Sequence, residues 1–287
     1  MSGRRAEGAH YLHAAKALEP VLAVPAEAPR ALSWLGAKET LLLAQRDGRV
    51  VSVEPSFGAR PLYVGPPDPV HLATRGGDIA VLSASGRVEV RSGGDVSFSV
   101  DTGLAGESGL RFWRGGLAVI GESAHSREVQ VYEDGRRVRT LSVPEGTALG
   151  ARDGELLLAR SVDAEMRVTP LGGPLPDGVA THHTLRFAHG ARVVGVVEGG
   201  VTVWLHGQPR TVRLLDSACG ALAHDGRTLA LGTLAGVVAI ADVEGPPAAR
   251  AHPARLEAHT GPVVAMSFST RGRWLATVGD NCRLWAY

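Results

Sequence analysis

The stretch "WLATVGDNCRLWAY" (residues 274–287) has the form of a β-hairpin. Two short apolar runs flank a Gly-Asp-Asn turn near residue 281, which is the pattern of two antiparallel strands joined by a tight connection. A last strand with an unpaired outer edge would invite aggregation. We therefore expect another part of the chain to cover this edge.

Six stretches upstream repeat the same shape, so the hairpin belongs to a regular series. The turn centres fall near residues 48, 86, 126, 164, 200, 236 and 281. A step of about 40 residues fits four short strands, the unit of a propeller blade. Short apolar runs precede and follow the hairpins, as in "RALSWLG" (30–36) and "RRVRTLSV" (136–143). Helical periodicity never lasts beyond about three turns. The pattern predicts an all-β fold, a seven-bladed β-propeller of four-stranded antiparallel blades.

Composition indicates a packed protein without an obvious nucleic-acid or membrane partner. Of the 287 residues, 44% are hydrophobic and 21% are charged, as in ordinary globular chains. The formal charge of +1 gives no net field that would attract nucleic acid or an anionic membrane, and aromatic residues make up only 5%. No apolar run approaches the roughly 20 residues that span a bilayer. His13, Lys16 and Glu19 interrupt any signal-peptide core. We expect a cytoplasmic protein, and its Arg, Ala, Gly and Val content suggests a GC-rich bacterial source.

Cysteine and histidine spacing gives no metal site. Cys219 and Cys282 match no zinc motif, which favours two reduced, partly buried thiols. His10 and His13 have a spacing that suits a chelate only on a helix, and the adjacent His182 and His183 would point to opposite faces of a strand. The chain contains no HExxH, GxSxG, Walker A or GxGxxG motif in a suitable setting, and no repeated acidic position for calcium. We therefore expect no enzyme activity, no cofactor and no metal.

The stretch "AHTGPVVAMSFSTRGRWLATVGDNCRLW" (258–285) resembles a WD40 repeat. The residues that carry this resemblance are His259, Phe268-Ser269, Gly272, Thr277, Asp280 and Trp285. The preceding "ALAHDGRTLALGTLAGVVAIADVE" (221–244) is similar, with Ala241-Asp242 where the closing Trp-Asp would stand. The first five repeats match the family only in spacing and hydrophobic rhythm.

This resemblance implies how the ring closes. In WD40 propellers, the N-terminal segment supplies the outermost strand of the last blade. Residues 10–24 would be that closing strand here, and Pro20 is tolerable because an outermost strand is hydrogen-bonded on one side only. Residues 1–9 would be a flexible tail, and the blades would occupy roughly residues 30–287 in a single domain.

The resemblance also assigns His259, Thr277, Asp280 and Trp285 to a buried hydrogen-bond chain. Such a chain is structural, because a buried indole N–H, hydroxyl and imidazole each need a partner. The alternative is an acid–base dyad. Asp280 precedes Trp285 by five positions where the family more often uses six, so we expect a tightened turn and a displaced Asp280. Blade six carries Leu231 and Ala241 at the Thr and Trp positions, which excludes the chain there.

Two groups of residues are candidate contact sites. In "LRFWRGG" (110–116), Arg111, Trp113 and Arg114 are of the types that dominate interface hot spots, although Trp113 could instead fill the core between blades. "YEDGRRVRT" (132–140) reads as a charged outer strand that blocks edge pairing. The turns of the second-to-third-strand hairpins line one face in such folds and give a second set of candidates: Arg46, Arg87, His125, Asp163, Glu198 and Asn281.

The resemblance implies a non-catalytic scaffold or adaptor that binds a protein or peptide partner within a multi-protein assembly and is monomeric as an isolated fold. Fold does not fix function, so two alternatives stay open. One is a propeller hydrolase or lactonase that uses the central channel. The other is a ligand-sensing module with a closed pocket. The sequence does not identify the partner or the face that binds it.

Overall fold

A computed structural model describes residues 20–24, 29–36, 39–54, 58–152, 154–163, 165–180, 184–187, 193–197, 200–205, 208–223, 225–245 and 253–286. These residues form 27 β-strands and no α-helix. Consequently, no helix that could span a membrane occurs in this part of the chain. The all-β prediction is confirmed.

The strands form seven antiparallel sheets that follow one another along the chain. Blade 1 contains β2 (Pro29–Leu35), β3 (Thr40–Gln45), β4 (Arg49–Glu54) and β5 (Gly58–Val64); blade 2 contains β6 (Pro69–Arg75), β7 (Asp78–Ser83), β8 (Arg87–Ser92) and β9 (Asp95–Asp101); blade 3 contains β10 (Ala105–Trp113), β11 (Gly116–Glu122), β12 (Arg127–Glu133) and β13 (Arg136–Val143). Blade 4 contains β14 (Ala148–Arg152), β15 (Glu155–Val162) and β16 (Glu165–Pro170); blade 5 contains β17 (Thr184–Phe187), β18 (Val193–Val197), β19 (Gly200–Leu205) and β20 (Gln208–Arg213). Blade 6 contains β21 (Ser217–Leu222), β22 (Thr228–Thr233), β23 (Val237–Asp242) and β24 (Ala254–Glu257); blade 7 contains β25 (Ala265–Phe268), β26 (Trp274–Val278), β27 (Cys282–Ala286) and β1 (Pro20–Val24).

Burial changes from strand to strand within a blade. The second strand is buried on both faces, and every residue of β3 and β22 is buried. Because neighbouring blades cover both of its faces, this strand reads as a continuous apolar run rather than an alternating one. Outer strands are exposed, as seven of the eight residues of β13 are exposed or half-buried. The apolar runs in the sequence therefore mark the second strands.

Seven hydrophobic cores join the blades, one between each neighbouring pair. Blade 7 packs against blade 1 through a core that includes Trp34, Leu41 and Leu284. Burying a large apolar side chain contributes roughly 1.5–3 kcal/mol, so each of these cores is a substantial part of the fold's stability. The contact between the last and first blades makes the arrangement a closed ring.

The outermost strand of blade 7 comes from the N-terminal part of the chain. β1 pairs antiparallel with β27, with Leu22 opposite Leu284 and Val24 opposite Cys282. This pairing covers the edge of the C-terminal hairpin that the sequence left open. Residues 1–19, which include the expected tail and the first part of the expected closing strand, lie outside the described residues.

Blade 4 departs from the expected four-stranded form, because its sheet has three strands among the described residues. After β16 the chain continues as "LGGPLPDGVA" (171–180), which makes turns and one isolated bridge from Ala180 to Val162. Proline lacks the N–H that a strand ladder needs, and glycine disfavours strands. Composition thus explains why no regular fourth strand forms from this stretch.

Candidate functional site

The four residues assigned to the hydrogen-bond chain come together inside blade 7. Trp285 Nε1 donates to Thr277 Oγ1 at 2.9 Å, and Thr277 Oγ1 lies 2.9 Å from His259 Nε2. His259 Nδ1 lies 2.8 Å from Asp280 Oδ1. With a neutral imidazole, the Thr277 hydroxyl donates to Nε2 and the Nδ1 proton points to the carboxylate. Every polar side-chain group in this four-residue hydrogen-bond chain therefore has a partner.

Electrostatics keep this chain in one protonation state at neutral pH. Burial lowers the pKa of His259, and the nearby Asp280 carboxylate offsets this effect only in part. Burial alone would raise the pKa of Asp280, but hydrogen bonds from Thr260 and His259 outweigh it and bring the pKa to about 2. Asp280 is thus ionised and His259 neutral near pH 7.

The order Asp280, His259, Thr277 resembles that of a catalytic triad, but no substrate can reach it. Thr277 is 0% exposed and Trp285 is 3% exposed. A nucleophile must approach the reacting atom to about 3 Å, which a hydroxyl enclosed within a blade cannot do. The geometry supports the structural reading over the acid–base dyad.

Blade 6 replaces this chain by apolar packing. Leu229 pairs with Ala241 as Leu275 pairs with Trp285, so Ala241 occupies the position of the indole. Leu231, at the position of Thr277, is fully buried. The blade 7 hairpin is two residues shorter between these matching pairs, as expected for a tightened turn. The expected displacement of Asp280 is wrong, because its carboxylate lies 2.8 Å from His259 Nδ1.

We call the end of the ring that carries the second-to-third-strand turns the hairpin face. The structure places the predicted turn candidates there: Arg46, Arg87, His125 and Asp163 are exposed, and Asn281 is half-buried. Glu198 lies outside the described residues. Arg46 makes an exposed ion pair with Asp68 at 3.4 Å, which contributes little to stability.

The hairpin face also carries most of the large exposed apolar residues, which the sequence reasoning missed. They are Val64 at the end of β5, Val70 at the start of β6, and Val179, Leu215, Leu234 and Val264 in loops and turns, whereas Leu62, Val96 and Val138 lie within outer strands away from this end. Three of them, Leu215, Leu234 and Val264, form what we call the apolar patch. The signal that could have found it is an apolar residue in a turn, as in "TLAG" (233–236).

Backbone hydrogen bonds hold the segments of the apolar patch together. Leu234 N donates to Asp216 O at 3.0 Å, so the blade 6 turn lies against the loop that carries Leu215. Val263 N donates to Thr233 O at 2.9 Å and brings the loop before β25 to the same place. The patch is therefore a fixed surface built from three segments.

The structure does not bring Arg111, Trp113 and Arg114 onto one surface. Trp113 is half-buried and packs against the core between blades 3 and 4, which is the alternative role that the sequence left open. Arg111 lines the central channel. Arg114 lies at the exposed turn after β10, where its backbone N–H donates to Gly154 O at 3.4 Å.

The first strands of the blades surround a central channel of about 810 Å³. The charged or titratable side chains described along it are Arg30, His71, Arg111 and Arg127. Arg127 is buried and donates to Glu122 Oε1 at 2.5 Å. No carboxylate is among the described lining side chains, and no group of three metal-ligating residues occurs in the described part of the chain. The described residues thus provide no calcium or zinc site.

Comparisons with known proteins agree with this architecture. No protein-family model and no curated protein sequence matches the chain. Solved structures do: a chain of the mitotic checkpoint complex is 14% identical, with a TM-score of 0.70 over 93% of this chain and 91% of that one. The β-propeller domain of Myceliophteria thermophila Cps50 (Swd1) is 13% identical, with a TM-score of 0.73 over 94% of this chain and 99% of that one. The chain is a seven-bladed β-propeller.

A third similar structure is Raptor from Chaetomium thermophilum, 13% identical with a TM-score of 0.72. All of this chain aligns, but it spans only 31% of that protein. At such identities the likeness establishes the fold alone.

Proposed function

We propose that this propeller is a non-catalytic WD40-type scaffold that binds a protein or peptide partner through its hairpin face. The observation that carries the proposal is the concentration of exposed apolar residues on that face, with the apolar patch at blades 6 and 7. Exposed apolar residues that cluster, rather than scatter, mark interaction sites. Similar structures include a chain of the mitotic checkpoint complex, which is itself a protein assembly.

The surface suits recognition of a polypeptide. Leu215 is 78% exposed and Leu234 is 58% exposed, so a partner could remove both side chains from water. Each would contribute roughly 1.5–3 kcal/mol on full burial. Arg46, Arg87 and His125 lie on the same face, at blades 1 to 3, and offer hydrogen-bond donors to a partner that extends across the face from the apolar patch.

Rigidity supports the same role. The turns of the hairpin face are anchored on buried second strands, and the loops between blades bond to those turns, as Ala84 N does to Asp68 O at 2.8 Å. A surface that is already ordered loses little conformational entropy on binding. We propose no enzyme activity and no cofactor, because the triad-like residues are enclosed and the described channel lining lacks carboxylates.

The test compares two apolar-to-charged variants in affinity capture from the native cell. Leu234→Glu places a charge in the apolar patch, and Val96→Glu is a matched control on the outer strand of blade 2, where the side chain is 48% exposed. We expect the wild type and Val96→Glu to recover the same stoichiometric partner. Leu234→Glu should recover at least about tenfold less, the loss expected when about 1.4 kcal/mol of hot-spot energy is removed.

Two results would contradict the proposal. One is equal recovery by Leu234→Glu and the wild type. The other is no stoichiometric partner for any form at native expression, combined with hydrolytic turnover of a lactone or ester by the purified protein. Thermal unfolding of both variants serves as the control for folding.

A further inference from the structure

Blade 4 has a free strand edge within the described structure. Leu171 N donates to Leu156 O at 3.0 Å, and the register pairs Arg167 with Arg160 and Glu165 with Val162. Backbone groups of an antiparallel strand alternate between its two sides. The N–H and C=O groups of Met166 and Val168 therefore point away from β15, and no described strand pairs with them.

Residues 171–180, which follow β16, are held elsewhere, and within the described part of the chain no strand covers this edge. Leu171 and Leu175 pack against the core between blades 3 and 4. The buried Arg160 side chain donates to Glu145 O at 2.9 Å and also to the carbonyl oxygens of Pro176 and Gly178. These bonds hold residues 171–180 on the blade 3 side of the sheet.

The outer strands of the two neighbouring blades carry positive charge only. β13 on blade 3 carries Arg136, Arg137 and Arg139, and β20 on blade 5 carries Arg210 and Arg213; neither strand contains an acidic residue. All five arginines are exposed. On β16 itself, Arg167 is paired with Glu165 at 2.8 Å, so this strand adds no net charge. The outer strand of blade 2, β9, is instead acidic, with Asp95 and Asp101.

We propose that an acidic, extended segment of a partner protein adds to β16 as the fourth strand of blade 4. Its backbone would bond to the outward N–H and C=O groups of Met166 and Val168, as in other cases of strand addition. Its acidic side chains would lie between the arginines of β13 and β20. Arg139 already reaches toward blade 4, where its guanidinium lies beside Gly172. This site is on the rim, so it goes beyond the proposed binding at the hairpin face.

The β16 edge also has features that disfavour nonspecific pairing with other strands. β16 is short, carries exposed Glu165 and Arg167, and ends at Pro170, all of which discourage edge-to-edge association. A second copy of this chain would bring a second set of arginines to the site and be repelled. The charge pattern therefore favours an acidic partner over self-association.

The probe is a fluorescein-labelled peptide of about seven residues that alternates glutamate with valine, the length of an ordinary strand. A matched peptide has lysine in place of glutamate. Binding to the full chain is followed by fluorescence anisotropy at two salt concentrations. We expect the acidic peptide to bind at least about tenfold more tightly than the lysine peptide, and added salt to weaken it.

Two pairs of variants locate the site. Val168→Pro removes one outward N–H, and we expect it to weaken binding about tenfold. Val168→Ala shortens the side chain but keeps the N–H, so binding should stay within about twofold. Arg139→Ser combined with Arg213→Ser should also weaken binding about tenfold, whereas Arg46→Ser on the hairpin face should leave it unchanged.

Several outcomes would overturn the proposal. Equal binding of the two peptides, or equal binding by the proline and alanine variants, would exclude strand addition by an acidic segment. Sedimentation that shows a dimer, lost in Val168→Pro, would make a second copy the occupant. If Val168→Pro does not fold, the arginine variants decide. Because the peptide assay does not involve Leu234, its failure is independent of the result at the hairpin face.

Discussion

A buried carboxylate ties the first blade to the last, and its removal gives the sharpest test of how the ring is closed. Glu39, in the turn between β2 and β3, is 2% exposed. It accepts hydrogen bonds from Ser269 Oγ at 2.6 Å, from Arg271 N at 3.0 Å, and from Arg273 at 2.8 Å (Nε) and 2.5 Å (Nη2). The perturbation is Glu39→Gln, which keeps the side-chain size and removes the charge.

The expected loss follows from these contacts. A charge-assisted hydrogen bond contributes about 1.5–3 kcal/mol, and glutamine keeps one acceptor oxygen but turns an N–H₂ group toward the guanidinium. Arg273 is 61% exposed and recovers hydration once the carboxylate is gone. We therefore expect a net loss of about 2 kcal/mol, below the 3–5 kcal/mol typical when a buried charge is left without a partner.

The loss should also depend on pH. Burial alone would raise the pKa of Glu39, but hydrogen bonds from Ser269, Arg273 and Arg271 outweigh it and hold the pKa below the ordinary value of 4.5. A lowered folded-state pKa gives stability that is fully present above 4.5 and is lost as pH falls through the folded value. The difference between wild type and Glu39→Gln should be largest near neutral pH and shrink below about pH 4.

The assay is urea unfolding of both proteins at neutral and acidic pH, followed by tryptophan fluorescence. Glu39 has a φ of 55°. The backbone contribution is measured separately with Glu39→Gly and Glu39→Ala, which both lack the carboxylate. Glycine accepts this backbone conformation, so Glu39→Gly should be about 1 kcal/mol more stable than Glu39→Ala. A Glu39→Gln loss below about 0.5 kcal/mol, or an equal loss at both pH values, would refute the account of ring closure.

The remaining predictions concern buried polar groups. Thr277→Val leaves the indole N–H of Trp285 and Nε2 of His259 without partners and should cost about 1–3 kcal/mol by urea unfolding; an unchanged midpoint would contradict the hydrogen-bond chain. Because the folded pKa of His259 is lowered, its stabilising effect is complete above 6.5 and declines as pH falls below that value, so wild type should lose stability there more steeply than His259→Gln. Arg160→Gln should release residues 171–180, seen as faster limited proteolysis in that stretch than in wild type at matched global stability.

The sequence predicted the features that are determined within one blade and that recur from blade to blade. The turn spacing predicted seven blades because each blade repeats the same apolar second strand and tight hairpin. The partners of His259 could be assigned from a single repeat, since Thr277, Asp280 and Trp285 all lie within one blade. Five turn centres, predicted near residues 48, 86, 126, 236 and 281, lie between the second and third strands of their blades.

Features that depend on distant segments were missed. Glu39 meets Ser269 and Arg273 across the junction of the first and last blades, more than 200 residues away along the chain, so no local motif marks it. The apolar patch arises where three loops converge, and each contributes a single apolar residue. The free edge of blade 4 depends on Arg160, whose partners are carbonyl oxygens that carry no side-chain signature.

The junction of blades 7 and 1 carries the buried ionic contact of Glu39 with Arg273, and topology gives a physical reason for it. Among the described strands, each of the other blades is built from strands that are consecutive along the chain, whereas blade 7 combines β1 from the N-terminal part with β25, β26 and β27 from the C-terminal part, so non-covalent contacts hold its two parts together. Apolar packing is tolerant of small displacements, but hydrogen bonds are directional. The Glu39 contacts therefore fix the position of blade 1 relative to blade 7, and the apolar core around Trp34 stabilises the contact between the two blades. The free edge of β16 lies on the far side of the ring, in blade 4, so a strand added there would leave the closure undisturbed.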